Sequence, residues 1–203
     1  LLVDCNEDIK NEKKQIQILI DRNVDGLILA PYSTDGETLS SLVDDTPVVI
    51  VDQLLEDFKT DTVLLDDINN VYNSVEVLIK NGHKRIGILC GPQKYYTFKE
   101  RLKGYKRVLE DYKIPLNEQF IKIGRPDAVK GYQMMKELIE MDHPPTAVLA
   151  TNYKITKGAV IAINEMHVKI PEDISFIGYD DEDLTRVFNP PLSIVVEPIK
   201  KIA

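Results

Sequence analysis

Polar side chains follow the apolar runs of this chain at a recurring position. Asp52 follows Pro47-Val48-Val49-Ile50-Val51, and Asp66 and Asp67 follow Thr62-Val63-Leu64-Leu65. Asp180 and Asp181 come just after Ile174–Ile177, across Gly178 and Tyr179. Tyr32 follows Gly26-Leu27-Ile28-Leu29-Ala30 across Pro31, and Asn152 and Tyr153 follow Pro145–Ala150 across Thr151. Short apolar runs bounded by turn formers have the pattern of strands covered on both faces. Ligands of open parallel sheets bind beyond the carboxyl ends of such strands. Carboxylates and amides placed there exchange hydrogen bonds with hydroxyl groups. Arg101 falls in the first turn of a helix expected from Phe98 to Tyr112, close to the same rim. Its planar fork suits adjacent ligand oxygens. Tyr95, Tyr96, Phe98 and Tyr153 offer flat walls for the C–H face of a small polar ring. Fixed polar groups with aromatic walls are the profile of a sugar or polyol site. The candidate ligand contacts are Tyr32, Asp52, Asp66, Thr97 at the end of the Gln93–Thr97 loop, Arg101, Asn152, Tyr153 and Asp180.

Each member of the set also has a plainer role open to it. Asp66, Asp67 or Asp181 can be the N-cap of the next helix. Arg101 can pair on the surface with Glu100 or Asp111, and Tyr95 and Tyr96 can be ordinary surface aromatics. Catalytic chemistry finds less support. His83, His143 and His167 lie at or after helix ends, as capping or surface residues do, and no Ser or Cys is placed with a His as nucleophile and base. No glycine-rich phosphate loop occurs. The two cysteines and three histidines do not cluster as metal ligands. Neither a cofactor nor a metal is expected, and the chain reads as a non-enzyme. A phosphoacceptor role for Asp66 or Asp67 is imaginable, but a two-lobed length argues against it.

The elements that would position these residues alternate from end to end. Strands are expected at Leu1–Cys5, Gly26–Ala30, Pro47–Val51, Thr62–Leu65, Lys84–Cys90, Phe120–Ile123, Pro145–Ala150, Ile174–Ile177 and Ser193–Val196. Helices are expected at Asp8–Arg22, Thr34–Asp44, Asn69–Asn81, Phe98–Tyr112, Asp127–Met141 and Lys154–Met166, with Gly82 as a C-terminal stop. This is the α/β pattern of doubly wound parallel sheets with right-handed crossovers. The strands are too many for one modest sheet, so two lobes are expected: 1–89, with 192–203 crossing back, and 90–191.

The 203 residues carry 33 Asp and Glu against 25 Lys and Arg, a net charge of −8. A nucleic-acid-binding module normally presents a basic face, which sets direct DNA or RNA binding by this segment aside. Cys5 and Cys90 lie far apart, as buried free thiols of a reducing compartment would. No apolar run is long enough to span a bilayer, and the opening residues do not read as a signal peptide. The opening Leu1-Leu2-Val3 and the closing Glu197–Ala203, which looks like the start of a helix, read as the ends of a truncated fold.

Several stretches, in order, resemble one family. They are Val24-Asp25-Gly26-Leu27-Ile28-Leu29, Asn81-Gly82-His83-Lys84-Arg85-Ile86-Gly87, Glu100-Arg101-Leu102-Lys103-Gly104-Tyr105, Pro144-Pro145-Thr146-Ala147-Val148, Ile170–Ser175 with Gly178-Tyr179-Asp180-Asp181, and Pro190-Pro191-Leu192-Ser193. Together they look like the effector-binding core of the LacI/GalR (lactose/galactose repressor) family of bacterial transcription regulators, over nearly the whole chain. The resemblance implies a periplasmic-binding-protein-like fold of two α/β lobes joined by crossing strands. It also implies a helix-turn-helix DNA-binding head absent from this segment, and a lobe crossover near Gly91, Pro190 and Pro191. Asp66, Arg101, Asn152 and Asp180 match effector-site motif positions, and Asp52 and Thr97 match positions that contact effector in some members. Tyr153 stands where the family usually has Asp, Asp67 where it usually has Asn, and Asn70 where Gly is common. Tyr153 removes a charge and adds a ring.

These residues suggest a mechanism. A sugar or related metabolite binds between the lobes and favours a closed arrangement. Signalling requires that binding differ between the two states. The motion would change a homodimer interface and so the spacing of two DNA-binding heads on operator DNA. The Asn69–Asn81 helix, through Val71, Tyr72 and Val75, is a candidate interface element, although Val71 and Val75 fit intramolecular core better. Asp180 is expected opposite Arg101, with Asp181 in support. The expected location is the cytoplasm, with no membrane partner. The alternative is a sugar-binding protein of a transport system without a DNA role. A phosphoprotein partner in place of a small effector stays open.

Overall fold

The computed structural model describes residues 1–180 and 190–197. The expected supporting role of Asp181 and the expected terminal helix beyond Glu197 lie outside the described residues. Two units make up the described residues: Leu1–Leu65 in the first, and those from Asp66 onward in the second.

The first unit holds three parallel strands in the order β1-β2-β3: β1 (Leu27–Leu29), β2 (Val48–Val51) and β3 (Asp61–Val63). Two helices, α1 (Ile9–Asp21) and α2 (Gly36–Val43), accompany them. Asp8 and Asp35 accept backbone N–H bonds as their N-caps. Ile16 of α1 and Leu39 and Val43 of α2 meet Leu27 and Ile50 in one buried cluster. The opposite side of β1 leaves Ile28 80% exposed, so helices cover one face of this sheet. Leu1–Cys5, expected as a strand, is not one here. A strand needs a hydrogen-bonded neighbour, and β1 pairs only with β2 among the described residues.

The second unit is a five-stranded parallel sheet in the order β5-β4-β6-β7-β8. Its strands are β4 (Ile86–Cys90), β5 (Ile121–Ile123), β6 (Ala147–Ala150), β7 (Ser175–Tyr179) and β8 (Ser193–Val195). A 3-10 turn, Glu118–Phe120, leads into β5. Every residue of β4 and β6 is buried, as strands covered on both faces require. α3 (Asp67–Lys80) and α4 (Tyr96–Asp111) pack together, and α5 (Ala128–Ile139) and α6 (Tyr153–Glu165) pack together. The α5–α6 layer shares its core with Leu89, Val148, Ala150 and Phe176. The approach of α3 to α4 depends on Gly104, where a Cβ would collide with the Ile68 carbonyl. Val71 and Val75, weighed above as interface candidates, are fully buried within this unit.

The division between units differs from the expected 89/90 boundary. β4 bonds to both β5 and β6 in the larger sheet, and α3 packs on α4, so residues 66–89 belong with the described residues that follow them. β8, expected to cross back, pairs with β7. Element ends shift by one or two residues from the expected ones: the helix expected at Phe98 begins at Tyr96, and the strand expected to end at Ile177 continues to Tyr179.

Candidate ligand-binding site

Strand order fixes where a site can form in the larger unit. From β4 the chain goes first to β5 on one side, then back across to β6 on the other. The connecting layers α3–α4 and α5–α6 are separate. The sheet therefore has a switch point between β4 and β6, where the helices that come after the two strands leave in opposite directions and open a crevice at the carboxyl ends. One side of that crevice carries the loop after Cys90 and the start of α4; the other carries Thr151, Asn152 and Tyr153.

Arg101 spans this point. Its Nη1 donates to the Thr151 carbonyl at 2.6 Å, Nε donates to Asp67 Oδ1 at 2.6 Å, and Nη2 donates to Glu197 Oε1 at 2.6 Å. The Tyr179 ring lies 4.1 Å from the guanidinium carbon and the Phe98 ring 5.9 Å. The residue is 3% exposed. Burial works against the guanidinium charge, but Tyr179, Asp67 and Glu197 outweigh it and hold the pKa above its ordinary value. Burial raises the Asp67 carboxyl, and Arg101 offsets this in part. Burial also raises the Tyr179 hydroxyl. That hydroxyl is close enough to ease the charge of Asp67, yet among the described residues no acceptor meets it at full hydrogen-bond geometry. The contact is a weak one.

The surface pairing considered for Arg101 does not occur. Glu100 pairs instead with Lys103, and Asp111 lies near Arg107, 3.9 Å away. Asp180, expected opposite Arg101, turns its Oδ1 to the Glu197 N–H, which donates to it at 3.3 Å. The acid bonded to the Arg101 Nε is Asp67, which the sequence does not single out as a partner of Arg101. Glu197, Tyr179 and Thr151 are partners that the sequence does not announce. A buried Arg whose charge must be matched is the signal that could prompt a search for a second acid.

The other expected residues take varied places. Asp66 is the N-cap of α3: its carboxylate accepts from Asn69 N at 3.3 Å and from Asn69 Nδ2 at 2.7 Å. Asn152 caps α6, its side-chain oxygen accepting from Lys154 N at 2.9 Å and Ile155 N at 3.3 Å. Tyr153 opens α6 and is 42% exposed. Thr97 is buried in the first turn of α4. In the first unit, Tyr32 donates its backbone N–H to Glu12 Oε1 at 2.7 Å, and Ser33 N donates to the other oxygen at 3.1 Å. Glu12, buried in α1, thus fixes the loop after β1.

Asp52 and Asp180 share a local geometry that the sequence does not reveal. Both end a strand, and both have left-handed backbones, φ 65° and 57°. Each donates its N–H to the last residue of the neighbouring strand: Asp52 to the Val63 carbonyl at 3.0 Å, Asp180 to the Val195 carbonyl at 2.9 Å. Asp tolerates this backbone better than most residues, and such outliers concentrate at functional sites. The two units therefore repeat one strand-end device.

His83 is not the surface or capping residue expected. Its Nδ1 lies 2.9 Å from Thr146 Oγ1 and its Nε2 2.9 Å from Ser175 Oγ. It ties the amino ends of β6 and β7, the edge opposite the crevice. Among the described residues no group of three or more His, Cys, Asp or Glu could hold a metal ion. Nor is any helix among them long and apolar enough to cross a membrane.

Comparison with known proteins agrees with this architecture. The periplasmic binding protein-like domain matches residues 75–203, well over half of the chain. Along 97% of its length the chain is 38% identical to the "Probable HTH-type transcriptional regulator EndR" of Paenibacillus polymyxa, and covers 59% of that protein. It is 31% identical to the HTH-type transcriptional repressor CytR of Escherichia coli over 98% of this chain and 58% of that one. The chain thus spans under two thirds of the length of these relatives. A sugar-binding transcriptional regulator of the LacI family from Escherichia coli, crystallised with phosphate, superposes with a TM-score of 0.83 at 30% identity, over 100% of this chain and 73% of that one. The transcription regulator CcpA of Lactococcus lactis superposes with a TM-score of 0.88 at 25% identity, over 100% of this chain and 74% of that one. The chain belongs to the periplasmic binding protein-like family, in the form carried by LacI-family transcription regulators.

Proposed function

We propose that this chain is the effector-sensing core of a bacterial transcription regulator. It binds a small polar ligand, a sugar or related metabolite, at the carboxyl ends of its strands, and binding modulates the grip on operator DNA of a helix-turn-helix head carried by the full protein. The observation that supports this best is the switch point of the larger sheet. There Arg101 bonds just past the end of β6, Thr97 and Tyr153 stand in the first turns of the helices that follow β4 and β6, Asn152 caps the second of these, and Asp180 follows β7. Asp66 stands at the start of α3, next to Asp67. In the first unit Asp52 and Tyr32 hold the corresponding strand-end positions and are proposed as ligand contacts too.

The chain binds its ligand and does not turn it over. It acts as a homodimer in the cytoplasm, where an operator is reached. The relatives named above are regulators of transcription, which supports this reading over a transport protein with the same fold.

The test is a thermal-shift and calorimetric screen of neutral sugars and nucleosides. A ligand at about 100 times its dissociation constant stabilises a protein by about 2.7 kcal/mol. The expected result is such a gain for one ligand class, lost in Asp180→Asn. In gel-shift assays the full-length protein would show ligand-dependent operator affinity. A ligand response unchanged in Asp180→Asn would remove the site assignment.

A further inference from the structure

The charge around Arg101 bears on what the site can accept. Two carboxylates touch the single guanidinium, Asp67 and Glu197, each at 2.6 Å. Asp67 is sealed in, with its side chain 2% exposed, whereas that of Glu197 keeps 20%. Asp180 is exposed, and its carboxylate receives the Glu197 backbone N–H. All three nitrogens of Arg101 already serve protein oxygens, two of them charged. Among the described residues, one positive charge at Arg101 therefore meets two carboxylates in direct contact.

An anionic ligand approaching Arg101 meets this negative surplus and must push the Glu197 carboxylate aside. Like charges at contact distance disfavour each other strongly where water is scarce. Ligand hydroxyls and amines face no such penalty, because they can donate to the carboxylates of Glu197 and Asp180. We propose that this strand-end site takes an uncharged or cationic polyhydroxyl ligand, a free sugar or amino sugar, and refuses phosphorylated or carboxylated ones, with Glu197 as the residue that sets the choice. This rests on the strand-end ligand site proposed above and narrows its chemistry. Glu197 already takes the Arg101 Nη2, where an anion would have to displace it, and Asp67 takes Nε.

The test pairs neutral and anionic forms of the same sugar on the whole chain at constant ionic strength. D-Ribose and D-glucose are titrated against ribose 5-phosphate and glucose 6-phosphate, with glucosamine as the cationic case and inorganic phosphate as the minimal anion. The same titrations are run on Glu197→Gln, which keeps the side-chain length and an oxygen for Arg101 while removing the charge. The wild-type chain is expected to bind a phosphorylated sugar at least about tenfold more weakly than its neutral parent. Glu197→Gln is expected to narrow that gap and to gain a response to inorganic phosphate. Wild-type binding of a sugar phosphate as tight as that of its parent overturns the inference. So does a Glu197→Gln chain that refuses phosphate as firmly as the wild type. A wild type indifferent to all neutral sugars, with Glu197→Gln gaining phosphate, would keep the charge assignment and remove the sugar reading.

Discussion

A guanidinium as buried as that of Arg101 keeps its charge only with partners in place. Removing one partner of a buried pair typically costs about 3–5 kcal/mol, since the other charge is left uncompensated. Asp67→Ala should therefore lower the stability of the larger unit by about that amount, seen as a fall in the urea midpoint with the slope unchanged. A loss under about 1 kcal/mol would mean that Glu197 alone suffices to hold the guanidinium. For the same reason Arg101→Ala is a poor probe of ligand binding, because it strands Asp67 as well. His83 gives a second prediction. Burial of the ring lowers its pKa below the ordinary value. Between that lowered value and about 6.5, the unfolded chain binds more protons than the folded one, so stability rises with pH in that window. The contribution is complete above about pH 6.5 and is lost as the pH falls. The thermal midpoint should drop between pH 7 and pH 5, and His83→Gln should flatten that part of the profile. At this scale the sequence locates the strand-end polar residues but not their bonds. A shared place on the rim suggests Asp180 as the acid opposite Arg101. In the structure the Arg101 charge is met by Asp67 and Glu197, and Asp180 stays a proposed ligand contact.

Elements are more legible than residues, because periodicity depends on many side chains at once. All six expected helices and eight of the nine expected strands are present, with ends shifted by a few residues. The exception, Leu1–Cys5, has the composition of a strand but no paired neighbour among the described residues, and pairing is a tertiary fact that no local pattern carries. Asp66 shows how the plain and functional roles overlap. It caps α3, and replacing a carboxylate cap by Ala costs about 1 kcal/mol. Asp66→Ser keeps a capping oxygen and removes the charge. If Asp66 also meets ligand, Asp66→Ser should keep the midpoint near that of the wild type while weakening ligand binding. Unchanged binding would leave Asp66 as a cap alone. The helix pair α3–α4 gives a further prediction. Gly104→Ala places a Cβ against the Ile68 carbonyl, and forcing the helices apart should cost about 1–3 kcal/mol.

The whole molecule joins two units of unequal coverage. The larger sheet is buried on both faces by two helix layers, while the smaller one exposes Ile28. Local opening costs most where burial is deepest. The slowest-exchanging amides should therefore lie in β4 and β6, with β1 and β3 exchanging earlier. The count of strands suggests two units but does not mark the boundary between them. A change in composition suggests it near Gly82–Gly91, whereas the units divide where contacts thin, ahead of α3. The central claim is that ligand binds at the carboxyl-end switch point. It is tested most directly by mapping backbone amide shifts by NMR while titrating a neutral sugar found in the screen. The account predicts shifts concentrated at Thr97, Arg101, Asn152, Tyr153 and Asp180, abolished in Asp180→Asn. Shifts concentrated at the opposite edge, around His83, Ser175 and Leu192, with the Asp180→Asn chain responding as the wild type does, would contradict it.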